Sequence, residues 1–199
     1  MRFWSIVLAL LWGLGPPADL AGQNTPPTPA KPAPPKRTKW DDMDIGPFQA
    51  HGLEVREGDR IWRPALKGLN IRLGKNAAMC FDTERMRMAA FWTGGFLQLP
   101  TELGGLKGTP RPAGKIIFET SMSPGWAGPK GEWVDPRPPV VKGTNVYSHG
   151  PLPVEWARWR GHYLQGQRVV LSYSVGASSV LESPGFANGI FTRQFEIAR

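Results

Sequence analysis

The chain has 199 residues and a single cysteine, Cys80. One cysteine excludes an intramolecular disulfide, and no Cys-x-x-Cys-His haem motif or paired metal-ligand spacing accompanies it. We therefore predict no cofactor and no metal site, so any redox cofactor would have to come from another chain. Because no His or Lys next to Cys80 favours a reactive thiolate, we expect it to be a small buried hydrophobic residue in a strand.

Long apolar runs are also missing. The apolar run from Phe3 to Leu14 has about 12 residues, whereas a membrane-spanning helix needs about 20. Arg2 precedes this run and small residues follow it, up to Ala21. Residues 1–22 therefore read as a secretory signal peptide, which predicts a secreted or periplasmic protein with no transmembrane span after cleavage. The alternative is an uncleaved amino-terminal anchor.

Residues 23–39 contain six prolines and four basic side chains and almost no apolar ones. Such a composition cannot bury a core and predicts an extended, basic linker. Half of the formal net charge of +8 lies in this linker. The remaining residues are only mildly basic, so we expect no nucleic-acid partner.

Residues 40–199 are long enough for one domain but short for two. The 24 glycines and 21 prolines punctuate short apolar runs, which favours turns and strands over helices. The clearest element is a hairpin from Ala77 to Leu97, whose turn is at residues 82–85. Before it, residues 67–73 alternate, which predicts one buried and one solvated sheet face. We predict a mainly β fold, an antiparallel β-sandwich with long Gly/Pro/Trp-rich loops.

Further strands are predicted at residues 53–55, 115–120, 168–175, 180–182 and 190–197. The last one ends two residues before the carboxyl end, which predicts either a last edge strand or a domain truncated from a larger protein. Residues 151–161, PLPVEWARWRG, have proline near the start and glycine at the end, which predicts one short helix.

The segment 121–150 is longer than a typical connection and carries two tryptophans. Flat aromatic faces beside polar groups suit sugar rings. The ligand-binding residues that we predict here and in the following segment are Trp126, Trp133, Trp156, Trp159, Tyr163 and Arg137. The competing interpretation is that the aromatic side chains fasten a proline-rich loop onto the sheet.

Catalysis would need a different set of residues. A glycoside hydrolase or lyase uses two carboxylates that flank the scissile bond. Candidates for such a role are Asp82, Glu84, Asp135 and Glu182, with His149 as a proton carrier. Each has a structural alternative: Asp82 can hydrogen-bond the backbone of its turn, and Glu182 can lie on the wet face of a strand.

Several motifs occur together in one order: GPF, IRLG, FDTERMRMAAFWTGGF, PGWAGP, GPLP-x-x-W and RVVLSYSVG-x-x-x-LESPG. In this arrangement the chain resembles an uncharacterised secreted bacterial domain of unknown function, from about Gly46 to the carboxyl end. That domain precedes c-type cytochrome and dehydrogenase-like modules in larger exported proteins. The resemblance carries no catalytic residues over to this chain, which has no haem motif, and it implies a standalone or truncated copy.

Three functions follow as hypotheses. The first is an exported noncatalytic binding or accessory domain, whose partner is a cell-envelope glycan or another exported protein. The second is a glycoside-active enzyme with paired carboxylates. The third is an interaction module for a periplasmic redox protein, which only the resemblance suggests.

Overall fold

All the regular structure is β in the part of the chain that the computed structural model describes, namely residues 43–100, 108–142, 145–147 and 150–199. The strands are β1 (Phe48–Ala50), β2 (Leu53–Glu57), β3 (Arg60–Ala65), β4 (Gly68–Arg72), β5 (Ala77–Asp82), β6 (Arg87–Thr93), β7 (Leu97–Gln98), β8 (Arg111–Pro112), β9 (Lys115–Glu119), β10 (Val140–Lys142), β11 (Asn145–Tyr147), β12 (Ala157–Gln165), β13 (Arg168–Val175), β14 (Ser178–Ala187) and β15 (Ile190–Ala198).

Two antiparallel sheets form the framework. The first has five strands in the order β1-β4-β5-β6-β9, and the second has four in the order β12-β13-β14-β15. The predicted hairpin lies at the centre of the first sheet, where β5 pairs with both β4 and β6. Its turn contains Met86, which has a φ of 49°. The remaining pairs, β2-β3, β7-β8 and β10-β11, are two-stranded sheets.

The two large sheets pack face to face, which confirms the predicted antiparallel β-sandwich. Their inner faces share one hydrophobic cluster, to which Phe81 and Phe91 contribute from the first sheet and Leu171 and Tyr173 from the second. The rings of Phe81 and Tyr173 have centroids 5.6 Å apart. Alternation along each strand directs these side chains inward, as the two-residue period of the sequence requires.

The outer face of the first sheet is covered as well. Ala78, Cys80 and Trp92 lie in a second hydrophobic cluster, together with Leu53 and Ala65 of the β2-β3 hairpin. Cys80 is fully buried there, as predicted from its lone occurrence.

The prediction that this outer face is solvated was wrong. Asn70 of β4 is fully buried, and its side-chain amide donates to the backbone carbonyls of Gln49 and His51 at 3.3 and 3.0 Å. Alternation indicates which side chains share a face, but it cannot indicate that a second layer covers the polar one.

The short helix predicted at residues 151–161 was also wrong. The amides of Trp156 and Ala157 donate to the carbonyl of Pro153, which makes one turn. From Ala157 onward the chain is strand β12, where Trp159 pairs with Tyr173 of β13. One helical turn is marginal in water, and pairing along a whole strand outweighs it.

All described residues belong to one compact unit, which extends to Arg199. The predicted signal peptide (1–22), linker (23–39) and domain start at Trp40 lie outside the described residues. Within the described ranges, no helix has the length and apolar character that crossing a membrane requires.

Candidate functional site

A cleft of about 440 Å³ opens between the β5-β6 turn and the segment after β9. We call it the loop cleft. Its described lining comprises Arg85, Ser121, Met122, Ser123, Pro124, Val134, Asp135, Arg137 and Pro139.

One glycine holds the loop against the turn. The amide of Gly125 donates to the carbonyl of Arg85 at 2.8 Å. A Cβ at Gly125 would lie 2.0 Å from the carbonyl oxygen of Met86, so no other residue fits without moving the backbone. The Pro-Gly-Trp sequence therefore fixes where the cleft forms.

Asp135 and Arg137, both predicted site residues, form the polar wall of the loop cleft. Arg137 Nη2 lies 2.6 Å from Asp135 Oδ2, and Arg137 Nε lies 2.9 Å from Asp135 Oδ1. The side chain of Arg137 remains 32% exposed and that of Asp135 23% exposed, so a ligand can reach the pair. The hydrogen bond to Asp135 raises the pKa of Arg137, which keeps its charge. Arg137 also donates to the carbonyl of Pro151 at 3.1 Å.

Asp82 lies behind the loop cleft and is fully buried. Its Oδ1 accepts the backbone amide of Glu84 at 3.0 Å, which confirms the turn role predicted for it. Its Oδ2 lies 3.5 Å from Arg85 Nη1 and 3.2 Å from Arg87 Nη2. Arg87 in turn donates to Thr120 Oγ1 at 2.8 Å and to the carbonyl of Pro64. Asp82 thus ties the hairpin turn to the neighbouring strands.

Glu84, in the same turn, is partly exposed. Burial, and then the negative charge of Asp82, raise the pKa of the Glu84 carboxyl above its ordinary value. Its backbone carbonyl accepts the amide of Leu152 at 2.9 Å, so the segment before β12 is fastened to the turn.

Glu182 is not on a wet strand face, and that prediction was wrong. It is 0% exposed between the two sheets, where Arg193 Nε lies 2.6 Å from its Oε1. Buried and more exposed residues alternate along β14 as expected, but Glu182 lies on the buried face. Arg193 of β15 and Tyr173 of β13 provide its hydrogen-bond partners there.

The predicted aromatic residues do not form one surface. Trp126 packs on Tyr173 and on Phe195, with ring centroids 6.1 and 5.8 Å apart, and its carbonyl accepts the indole N–H of Trp156 at 3.0 Å. Trp156 is buried, and Trp159 packs against Phe81 at 5.8 Å. These contacts are the ones expected of loop anchors.

Two other predicted aromatic residues face solvent. Trp133 is 58% exposed and Tyr163 is 62% exposed. Trp133 directly precedes Val134 of the loop cleft, whereas Tyr163 lies in the middle of β12. His149, the predicted proton carrier, lies outside the described residues.

A family model described as a domain of unknown function (DUF6797) matches residues 79–182. The match covers more than half of the 199 residues. The chain belongs to the DUF6797 family. No curated protein matches the chain, and neither does any solved structure.

The matched range, residues 79–182, contains most of the motifs that suggested the family resemblance and also the candidate site. It starts in β5 and ends in β14, so it includes the loop cleft, Asp82 and Glu182. The predicted membership in a family of unknown function is thereby confirmed. The β2-β3 hairpin precedes the DUF6797 match.

Among the described residues of this DUF6797 chain, no group of three or more His, Cys, Asp or Glu is arranged to hold a metal ion. Four described carboxylates were proposed for catalysis, and of these only Asp135 lines the loop cleft. The cleft can therefore offer guanidinium donors, a carboxylate acceptor and hydroxyl groups beside apolar walls.

Sequence reasoning missed three polar residues of the loop cleft, namely Arg85, Ser121 and Ser123. Arg85 was assigned to the turn alone, and the two serines to an irregular segment. Ser121 Oγ and Ser123 Oγ lie 3.0 Å apart. Their one sequence signal is the polar Ser-x-Ser spacing directly before Pro124-Gly125.

Proposed function

We propose that this chain is an exported, noncatalytic binding module of the cell envelope, and that the loop cleft binds a carbohydrate. The observation that carries the proposal is the exposed Asp135–Arg137 pair in a cleft whose other walls include Met122, Pro124 and Val134. A sugar ring has apolar C–H faces and hydroxyl edges, so it needs both kinds of contact.

The size of the loop cleft supports this class of ligand. At about 440 Å³ it lies within the range of about 300–1,000 Å³ that is usual for small-molecule sites. Arg137 offers several N–H donors in one plane, and Asp135 offers oxygen acceptors beside them, which suits neighbouring hydroxyls of one ring. Because the pair is already in place, binding would need little reorganisation.

The burial of two carboxylates favours binding over glycoside cleavage. Asp82 and Glu182 are both 0% exposed, and each is paired with arginine. A general acid or a nucleophile must come within hydrogen-bond reach of its substrate. Glu84 is partly exposed but does not line the cleft, so Asp135 is the one described candidate in its lining, whereas glycoside cleavage ordinarily uses two carboxylates.

Export is the second part of the proposal and rests on the sequence. Residues 1–22 have the basic start, short apolar core and small residues of a signal peptide. The proline-rich segment 23–39 would then hold the domain away from the membrane or from a neighbouring module. Another exported protein, including one with cytochrome modules, is the alternative partner, which the family resemblance suggests.

A glycan-array screen of the full-length protein tests the binding proposal. Each neutral glycan that binds is then titrated against the wild type, Arg137→Gln and the control Arg158→Gln, which removes an exposed arginine from β12. We expect Arg137→Gln to weaken binding about tenfold, because a hydrogen bond to a charged group is lost, and the control to leave it unchanged.

The bound oligosaccharide should be recovered intact by mass spectrometry. If the folded wild type binds no glycan, the carbohydrate proposal is wrong. If Arg137→Gln binds as tightly as the wild type, the site is not the loop cleft.

A further inference from the structure

A second polar groove lies on the opposite side of the five-stranded sheet from the four-stranded sheet, beside the β2-β3 hairpin. Its volume is about 550 Å³. We call it the basic groove. Its lining residues that carry chemistry are Arg56, Glu57, Arg60, Trp62, Gln98, Arg111, Lys115 and Glu119.

Two of the four cations that line the basic groove, Arg56 and Arg111, lie against one buried carboxylate, Glu54. The side chain of Glu54 is 8% exposed, and its oxygens lie 2.8 Å from Arg56 Nε, 3.2 Å from Arg63 Nη2 and 3.5 Å from Arg111 Nε. Burial alone would raise the pKa of Glu54, but the hydrogen bonds and charges of Arg56 and Arg63 hold it below its ordinary value. Glu54 therefore stays ionised, holds Arg56 and Arg63 by hydrogen bonds and attracts Arg111 by its charge.

Three guanidinium groups offer more N–H donors than one carboxylate can accept. Each guanidinium carries five N–H groups, and an ionised carboxylate has about four lone-pair sites. The side chain of Arg56, which lines the groove, is 42% exposed, so a ligand there can reach its remaining donors. Arg63 is 53% exposed and adds its charge from outside the lining. The cluster thus presents fixed donors with a net positive charge, which is the requirement for binding an oxyanion.

The lining of the groove has the same charge excess. Arg56, Arg60, Arg111 and Lys115 line it against two carboxylates, Glu57 and Glu119, which leaves two more positive than negative charges. The charge on Glu54 behind it is balanced by Arg63, which does not line the groove.

Trp62 gives the groove an ordered aromatic wall. Its indole N–H donates to Glu119 Oε2 at 2.8 Å, and the guanidinium carbon of Arg60 lies 4.5 Å from its ring centroid. These two contacts fix the orientation of the indole ring. Arg60 lies over that ring, and no carboxylate of the described residues forms a hydrogen bond or an ion pair with it.

We propose that the basic groove binds an acidic polysaccharide through the carboxylate or sulfate groups of its sugars. The mixed lining selects this chemistry. The arginines and Lys115 hold anionic groups, while Glu57 and Glu119 accept hydrogen bonds from hydroxyls, which acidic sugars carry on the same rings. A DNA backbone would bring phosphates but no hydroxyl donors to the two carboxylates. An acidic peptide would bring backbone N–H donors but few hydroxyls beside its carboxylates.

The groove is distinct from the loop cleft in position and in chemistry. Arg56, Arg60 and Trp62 precede the DUF6797 match, whereas Arg111, Lys115 and Glu119 lie inside it. No residue lines both sites among those that the structure describes. The inference does not depend on the proposed function of the loop cleft.

The test is a titration of the full-length protein with polygalacturonate, dextran sulfate and neutral dextran of matched length. The groove variant is Arg60→Gln/Lys115→Gln. Its matched control is Arg158→Gln/Arg160→Gln, which removes two exposed charges from β12 and lines neither site. Thermal unfolding checks that both variants fold.

We expect polygalacturonate or dextran sulfate to bind and neutral dextran not to bind. The groove variant should weaken that binding about tenfold, since two charged contacts are lost, and added salt should weaken it further. The control should change the affinity by less than about twofold, because salt screens the attraction between these distant, exposed charges and the bound polysaccharide. Arg137→Gln should leave the binding unchanged, which separates this result from the test of the loop cleft.

Three outcomes would overturn the proposal. One is that neither acidic polysaccharide binds the folded wild type. Another is that the control loses as much affinity as the groove variant, which means that net charge alone is responsible. The third is that an oligodeoxythymidylate or polyglutamate of similar length binds the groove at least as tightly, which assigns it to a different class of partner.

Discussion

The hydroxyl of Tyr173 donates a 2.7 Å hydrogen bond to Glu182 Oε2 between the two sheets, where both residues are 0% exposed. Arg193 completes the group from β15, with Nε 2.6 Å from Oε1 and Nη2 3.0 Å from Oε2 of Glu182. Burial, and then the charge of Glu182, raise the pKa of Tyr173, so the phenol stays protonated as a donor. Strands β13, β14 and β15 are thereby joined through side chains as well as backbone.

Arg193→Met should lower the free energy of unfolding by about 3 kcal/mol, because it leaves the buried carboxylate of Glu182 without its ion partner. Denaturation in urea at pH 7 measures this. The double variant Glu182→Gln/Arg193→Met removes the charge but keeps an acceptor for Tyr173, so it should recover more than half of the loss. A single variant as stable as the wild type would mean that the contact between Arg193 and Glu182 does not stabilise the fold.

Glu84 gives the protein a pH dependence of known sign. The pKa of its carboxyl is raised in the folded state above its ordinary value by burial and by the charge of Asp82. The ionised form is therefore unfavourable in the folded protein at neutral pH, and this cost disappears as the pH falls through the raised pKa.

We accordingly expect Glu84→Gln to be more stable than the wild type at pH 7. The difference should shrink as the pH falls through the raised pKa and should be absent below the ordinary value. Unfolding measured from pH 7 to pH 4 follows it, with Glu155→Gln as a control at an exposed glutamate. A wild type that loses stability relative to Glu84→Gln on acidification would contradict the assignment.

The sandwich could be predicted because its strands alternate over short, well-punctuated runs. The hairpin turn could also be predicted, since Asp82 has the side chain that hydrogen-bonds the amide of Glu84. The second layer over the five-stranded sheet could not, because Asn70 has the same polar identity in a solvated face and in a covered one. The face that carries Asn70 is covered because the β2-β3 hairpin, an earlier stretch of the sequence, packs over it.

The candidate sites were less predictable than the fold. Asp135 and Arg137 were predicted, and they meet because they are two residues apart in one loop. The basic groove was missed, although EVREGDRIWR shows arginines on both sides of a glycine turn. Arg111 and Lys115 join that hairpin from a distant part of the chain, and only strand pairing brings them together. The predicted helix failed for a similar reason, because β13 provides a partner strand for Ala157 onward.

Trp126 and Trp133 should respond differently to truncation. Trp126→Ala removes the ring that packs on Tyr173 and Phe195, so it should cost about 2 kcal/mol of unfolding free energy, below the ~3–5 of a fully buried tryptophan. Trp133→Ala, at a residue that is 58% exposed, should change stability by less than about 0.5 kcal/mol. Urea denaturation of both variants measures the difference.

This difference decides which tryptophan can test glycan binding. A loss of binding in Trp126→Ala would reflect a displaced loop, whereas Trp133→Ala probes the rim of the loop cleft in a folded protein. Equal stability of the two variants would mean that Trp126 is not an anchor.

Cys80 should resist thiol reagents until the protein unfolds. Burial, and then the charge of Asp82, raise the pKa of its thiol well above the ordinary value, so the reactive thiolate is suppressed. Gly68 closes the site from one side, since a Cβ there would lie 2.6 Å from Cys80 Sγ. We expect labelling by a maleimide to be immediate in denaturant and, in native buffer, to proceed only at the rate of unfolding.

The control for this measurement is Cys80→Ala/Gln194→Cys, which moves the thiol to an exposed position of β15. Raising the pH from 7 to 9 should speed labelling of the control, because its thiolate fraction grows, but should leave native Cys80 unaffected. If native Cys80 is labelled as fast as the control, the outer face of the five-stranded sheet opens readily. The β2-β3 hairpin would then be a loosely held cover, and the arginines that Glu54 fixes on it would not be held in place for a ligand.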